Sequence, residues 1–92
     1  MGTTNRFTKD PDATLDFQVD WSAWLVDDDT ITSSSWDVPE GLTAESDSAT
    51  TSAATVWLSG GEAGNTYRVV NRIVTVYGRT DDRTLFIMVE ET

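Results

Sequence analysis

Two stretches near the C-terminus constrain this chain more than any others. Thr66 to Tyr77 and Arg83 to Glu90 are dense in Val, Ile, Thr, Tyr and Phe. A five-residue polar loop containing a glycine, Gly78-Arg79-Thr80-Asp81-Asp82, separates them. β-Branched and aromatic side chains fit a pleated surface, and a short glycine-bearing loop between two such runs is a β-hairpin signal. The bias extends over the whole chain: 15 Thr, 9 Val and 3 Ile make 27 of 92 residues β-branched, whereas strong helix formers are sparse. An all-β domain is expected. The length supports one domain, with a core that needs no covalent staple.

The remaining segments are organised around that hairpin. Residues 1–13 read as an extended N-terminal arm that ends in the turn chemistry of Asp10-Pro11-Asp12, and residues 14–92 as the β-sandwich domain. Phe7 is the large apolar side chain of the arm. Leu15, Phe17 and Val19 alternate with Asp16, Gln18 and Asp20, the pattern of a half-buried strand. Trp21, Trp24 and Leu25 stand at i, i+3 and i+4, which suits one helical turn with Asp20 as N-cap, an edge strand or bulge being the rival. Asp27-Asp28-Asp29 is a charged turn. Strands are expected at Thr30–Val38, at Leu42–Glu45 and around Ala54, Val56 and Leu58. Ser46–Ser52 reads as a loop or an edge, and Gly60–Asn65 as a turn. Six strands at this spacing suit a sandwich.

Composition excludes several function classes. Cysteine and histidine are absent, which removes thiol nucleophiles, thiolate metal sites and imidazole bases. The formal charge of −10, with Lys9 as the single lysine, is unsuited to nucleic acid, whose phosphates need a cationic surface. No apolar run approaches the ~20 residues of a membrane helix, and no signal-peptide core is visible near residue 1. The chain is therefore expected not to be an enzyme and to need no cofactor. Asp27-Asp28-Asp29 and Asp81-Asp82 offer carboxylates to Ca²⁺, but without EF-hand spacing they read as solvated turns. Ser59-Gly60-Gly61 lacks a neighbouring base, and Gly60–Gly64 lacks the lysine of a P-loop.

Tyr67 follows the glycine-rich turn and opens the longest strand. An Ig-like sandwich often places there a tyrosine corner, with the ring inward and the hydroxyl on upstream backbone. Trp36 lies near the centre of an early strand, as a core tryptophan would. The chain thus resembles Ig-like or fibronectin-III-like antiparallel β-sandwiches. Four phrases narrow the resemblance: Lys9-Asp10-Pro11-Asp12-Ala13, Trp21-Ser22-Ala23-Trp24-Leu25, Thr55-Val56-Trp57-Leu58-Ser59-Gly60-Gly61, and Asn71-Arg72-Ile73 leading to Gly78-Arg79-Thr80-Asp81-Asp82-Arg83. From about Phe7 onward the chain is similar to small Ig-like structural proteins of tailed bacteriophages and prophages, of the fiber-tail or head–tail adaptor type. That resemblance implies a virion protein, present in host cytoplasm during assembly. Its partners would be other phage structural proteins, and it would form a homo-oligomer in the particle.

Strand period then sorts the side chains. With Tyr67 inward, Val69, Asn71 and Ile73 share its face, and Leu85, Ile87 and Val89 are their natural partners. The expected core is Phe17, Trp36, Leu58, Tyr67, Val69, Ile73, Leu85 and Ile87. Asn71 then needs a buried hydrogen-bond partner that the sequence does not name. Outward lie Val70, Val74, Val76, Phe86 and Met88, rimmed by Arg68 and Arg72. This is an apolar sheet face that a partner protein would cover, together with Trp57 and Phe7. The alternative is cover from within the chain, by the arm and the Trp21–Leu25 segment. A second function from another class is a carbohydrate- or cell-surface-binding module with Trp57 as platform; a third is a spacer domain of a larger hydrolase.

Overall fold

The computed structural model describes residues 5–91. Seven strands form two sheets: β1 Asn5–Lys9, β2 Leu15–Asp20, β3 Ile31–Asp37, β4 Leu42–Ala49, β5 Ala53–Gly60, β6 Thr66–Thr75 and β7 Thr80–Val89. One sheet has the order β1-β7-β6-β3 and the other β2-β5-β4. The architecture is an all-β, Ig-like sandwich. One pairing departs from the antiparallel expectation: β1 runs parallel to β7, with Phe7 opposite Ile87 and Lys9 opposite Val89. Residues 5–9 of the expected arm are thus an edge strand of this chain's own sheet, while residues 1–4 lie outside the described residues.

Alternation builds the core. Phe17 and Val19 from β2, Val56 and Leu58 from β5, Val69 and Ile73 from β6, and Leu85, Ile87 and Val89 from β7 are all buried between the sheets. Tyr67 and Trp36 are half-buried and pack against this cluster. Trp36 sits on the edge strand β3, where fewer neighbours cover its ring. Phe7 meets Phe17 edge-on, with ring centroids 5.2 Å apart. Trp21 closes one end. Backbone bonds from Trp24 and Leu25 to the Trp21 carbonyl make a single helical turn, capped where the Asp20 carboxylate accepts the Ser22 N–H.

Asn71, Tyr67 and Lys9 find partners inside or at the rim of the sandwich, whereas Asp29 Oδ2, Trp36 Nε1 and Arg79 Nη1 are buried without a hydrogen-bond partner among the described residues. Asn71 accepts from Trp21 Nε1 at 2.9 Å and donates to Ser34 Oγ and the Ser35 carbonyl. The Tyr67 hydroxyl accepts the Glu62 N–H at 2.9 Å, which makes the tyrosine corner. Lys9 is only 1% exposed. Its ammonium donates to the Asp10 carbonyl and, across the sandwich, to the Gly60 carbonyl at 2.7 Å. Burial pushes its pKa down, opposed by the Asp10 and Asp12 charges.

Three boundaries differ from the sequence expectation. β4 runs to Ala49, because main-chain pairing with β5 carries it past a bulge between Ala44 and Ser46. The hairpin turn falls at residues 76–79, and Asp81 and Asp82 belong to β7, opposite Ile73 and Arg72. Asp82 lies within the strand because Arg72 grips it from β6. Val76 accordingly leaves the strand and stands exposed in the turn.

Candidate functional site

The outward side chains of the two sheets make two broad faces with different chemistry. On the four-stranded sheet, Phe86 has Arg6 opposite it on β1 and Arg68 opposite it on β6. Met88 has Thr8 and Thr66 as neighbours, Val70 has Thr84 and Asp37, and Val74 has Thr80 and Ser33. The apolar set of Val70, Val74, Phe86 and Met88 does share this face. It is not continuous, because cations and threonines interleave with it in the cross-strand rows. Neither β1 nor the Trp21–Leu25 turn covers the face: β1 extends the sheet sideways and Trp21 fills the interior.

Arg72 and Asp82 form a bidentate pair on the same face, at 2.7 Å and 3.0 Å. The hydrogen bonds hold the Asp82 carboxyl below its ordinary range and the Arg72 guanidinium above its own. Both groups are largely exposed, so the pair orients side chains more than it stabilises the fold. Beside it a shallow depression of about 380 Å³ is lined by Trp36, Asp37, Arg68, Val70 and the Arg72–Asp82 pair. The Arg6 guanidinium lies 5.6 Å from the Phe86 ring centre.

The three-stranded sheet is the opposite in charge. Trp57 is 42% exposed and points outward from β5, with Asp16 opposite it on β2 and Ser46 on β4. The Glu45 carboxylate accepts from the Ser59 hydroxyl on the same face. Trp57 is therefore on the far side of the sandwich from Phe86 and Met88, and the residues grouped from sequence as one surface divide into two. Phe7 belongs to neither face. It pairs with Ile87 in the parallel register, which turns its ring into the core against Phe17.

Among the described residues no group of three or more acidic side chains gathers to hold a metal ion. Asp29 is buried and its Oδ1 accepts from the Thr30 and Tyr77 amides, which ties the 27–29 turn to the β6–β7 turn. No helix among them is long and apolar enough to cross a membrane.

The comparisons with known proteins follow the fold closely. The profile of the podophage GP4 fiber-tail adaptor protein gp77 family matches residues 9–88. The chain belongs to that family. The match begins at Lys9, the last residue of β1, and runs almost to the end of β7, so it takes in β2 to β7 of this adaptor-family sandwich and leaves Arg6 outside. No curated protein sequence matches at a significant level. Among solved structures, the chain is similar to the PKD domain from KIAA 1837 protein, at 26% identity and a TM-score of 0.58, covering 98% of this chain and 82% of that one. Membership of the fiber-tail adaptor family implies a structural role and a place in the virion.

Arg6 was missed as a member of the Phe86 face by sequence reasoning. Its position depends on the parallel pairing of β1 with β7, and no periodicity within five residues encodes a partner so remote in sequence.

Proposed function

We propose that the chain is a non-enzymatic structural adaptor of a podophage virion, joining neighbouring tail and fibre proteins by surface docking. The family match over residues 9–88 carries this reading. The outer face of the four-stranded sheet supports it: Phe86, Met88, Val70 and Val74 offer apolar contact, while Arg6 and Arg68 add cationic contact to an acidic chain. Aromatic residues and arginine are the side chains most often found at the energetic centre of interfaces. β1 adds a second route, since its outer edge has no neighbouring strand among the described residues and suits strand addition by a partner. The reaction-free role requires no cofactor, nucleic acid or membrane. The protein is then a homo-oligomer in the particle and passes through host cytoplasm during assembly.

Immunodetection in purified particles tests the reading. The chain is expected in intact virions, and Phe86→Asp is expected to lower its incorporation at least about tenfold without unfolding it. Particles that assemble and infect without the chain would remove the adaptor role. A second reading rests on Trp57, whose exposed ring beside Asp16 and Glu45 also suits a sugar platform. Glycan-array binding that disappears in Trp57→Ala is its test.

A further inference from the structure

The six cations of the chain are unevenly engaged. Lys9 is buried on carbonyls, Arg72 is paired with Asp82, Arg79 lies 4.0 Å from the Trp24 ring centre, and Arg83 lies 4.5 Å from that of Trp21. Arg6, 5.6 Å from the Phe86 ring centre, and Arg68, whose charge helps to hold the Asp82 carboxyl down, are the least engaged. Both flank Phe86 on the outer face of the four-stranded sheet, which also carries Asp37 and Asp82. Neither guanidinium makes a hydrogen bond or ion pair among the described residues. The outer face of the other sheet has the reciprocal make-up. Trp57 stands at its centre with the carboxylates of Asp16 and Glu45 near it, and no lysine or arginine belongs to β2, β4 or β5.

We propose that the Arg6–Phe86–Arg68 face of one copy docks on the Asp16–Trp57–Glu45 face of a second copy. This rests on the adaptor reading and names a partner for its sheet face. Two chains of charge −10 repel through most of their surfaces, so contact is favoured only where a cationic patch meets an anionic one. The chain carries both patches, each with a central aromatic ring suited to stacking or to a guanidinium. The two faces differ, so the contact is head-to-tail and builds rings or open stacks instead of a closed two-fold dimer. Four strands about 4.8 Å apart and about 25 Å long offer on the order of 500 Å² per face. Stable interfaces use about 800 Å² per partner, so one contact is weak and a dissociation constant of roughly 10–1000 μM is expected.

Sedimentation of the whole chain from about 10 μM to about 1 mM at roughly 0.15 M salt, where repulsion reaches only about 8 Å, tests the proposal. The wild type is expected to form a concentration-dependent series beyond the dimer. Arg68→Glu and Trp57→Ser each change an exposed side chain on a different face, and each alone is expected to associate at least about tenfold more weakly. Mixed in equal amounts they retain one good face each, and they should form a one-to-one pair and stop there. Four results would overturn the proposal: a wild type that stays monomeric, an Arg68→Glu chain that associates as the wild type does, a mixture that stays monomeric while the wild type associates, or Trp57 engaging glycans with no self-association. A monomer still found in purified particles removes this contact and leaves the adaptor role; absence from particles removes the adaptor role whatever the sedimentation shows.

Discussion

Asn71 joins three elements with one side chain. Its amide holds the Trp21 indole on one side and β3 on the other, in a site closed to water. Asn71→Ala leaves the Trp21 N–H and the Ser35 carbonyl without that partner and opens a small void. The expected loss is about 3 kcal/mol in urea unfolding, and a loss below about 1 kcal/mol would mean that water replaces the amide. The need for a partner was readable from an Asn on an inward register position. The identity of that partner was not, because Trp21 and Ser34 approach only through tertiary packing. Lys9 gives a pH-dependent counterpart. Burial lowers its pKa from the ordinary 10.5, so the folded chain sheds this proton before the unfolded one does. Just below pH 10.5 the unfolded state therefore binds more protons, and the stability contributed by this group rises with pH. Compared with Lys9→Met, the wild type is expected to gain relative stability as the pH rises toward 10.5. A gap that does not change with pH would place the ammonium in water, and one that narrows would mean that the Asp10 and Asp12 charges outweigh burial.

At the scale of elements, turns and edges carry most of what periodicity leaves open. Alternation made β2, β5, β6 and β7 legible, since each places a row of Val, Ile, Leu or Phe on one side. β1 offers only Phe7 and a parallel partner far along the chain, and β4 beyond Leu42 has no large side chain to mark a face. The bulge at Ala44/Ser46 further breaks its period. The hairpin boundary slipped for a related reason: Asp81 and Asp82 look like loop residues, yet Arg72 across the ladder makes Asp82 a good strand residue. The tyrosine corner depends on Gly41, which has φ +106° and whose missing Cβ would lie 2.8 Å from the Tyr67 ring. Gly41→Ala adds both backbone strain and a clash with a packed ring. A loss of about 2–4 kcal/mol is expected in thermal or urea unfolding, with the Tyr67 ring displaced in NMR spectra. An unchanged midpoint would show that the corner yields at no cost.

At the scale of the whole molecule, charge opposes compactness. Ten excess negative charges are confined to a body with a radius of gyration of 13.6 Å. Salt screens that self-repulsion, so raising it from about 10 mM to about 0.3 M is expected to raise the melting temperature by several degrees. A melting temperature that falls would mean that paired charges such as Arg72–Asp82 matter more than the net excess. The sandwich itself was legible from composition and spacing. The existence of an outward set at Val70, Val74, Phe86 and Met88 was legible from period two alone. That the set is interrupted by Arg6 and Arg68, and that Trp57 faces the other way, emerges only when strands are assigned to sheets.

The parallel alignment of β1 and β7 has a mechanical consequence. Tension transmitted through the backbone enters β1 at Asn5 and leaves β7 at Val89, so it drags the two strands past each other along their length. The five aligned pairs then share the load and give way together, whereas an antiparallel hairpin pulled at its open end peels one rung at a time. Single-molecule stretching along this axis is expected to give one abrupt, high-force rupture, and a gradual low-force opening would show that the β1 clasp carries none of the load.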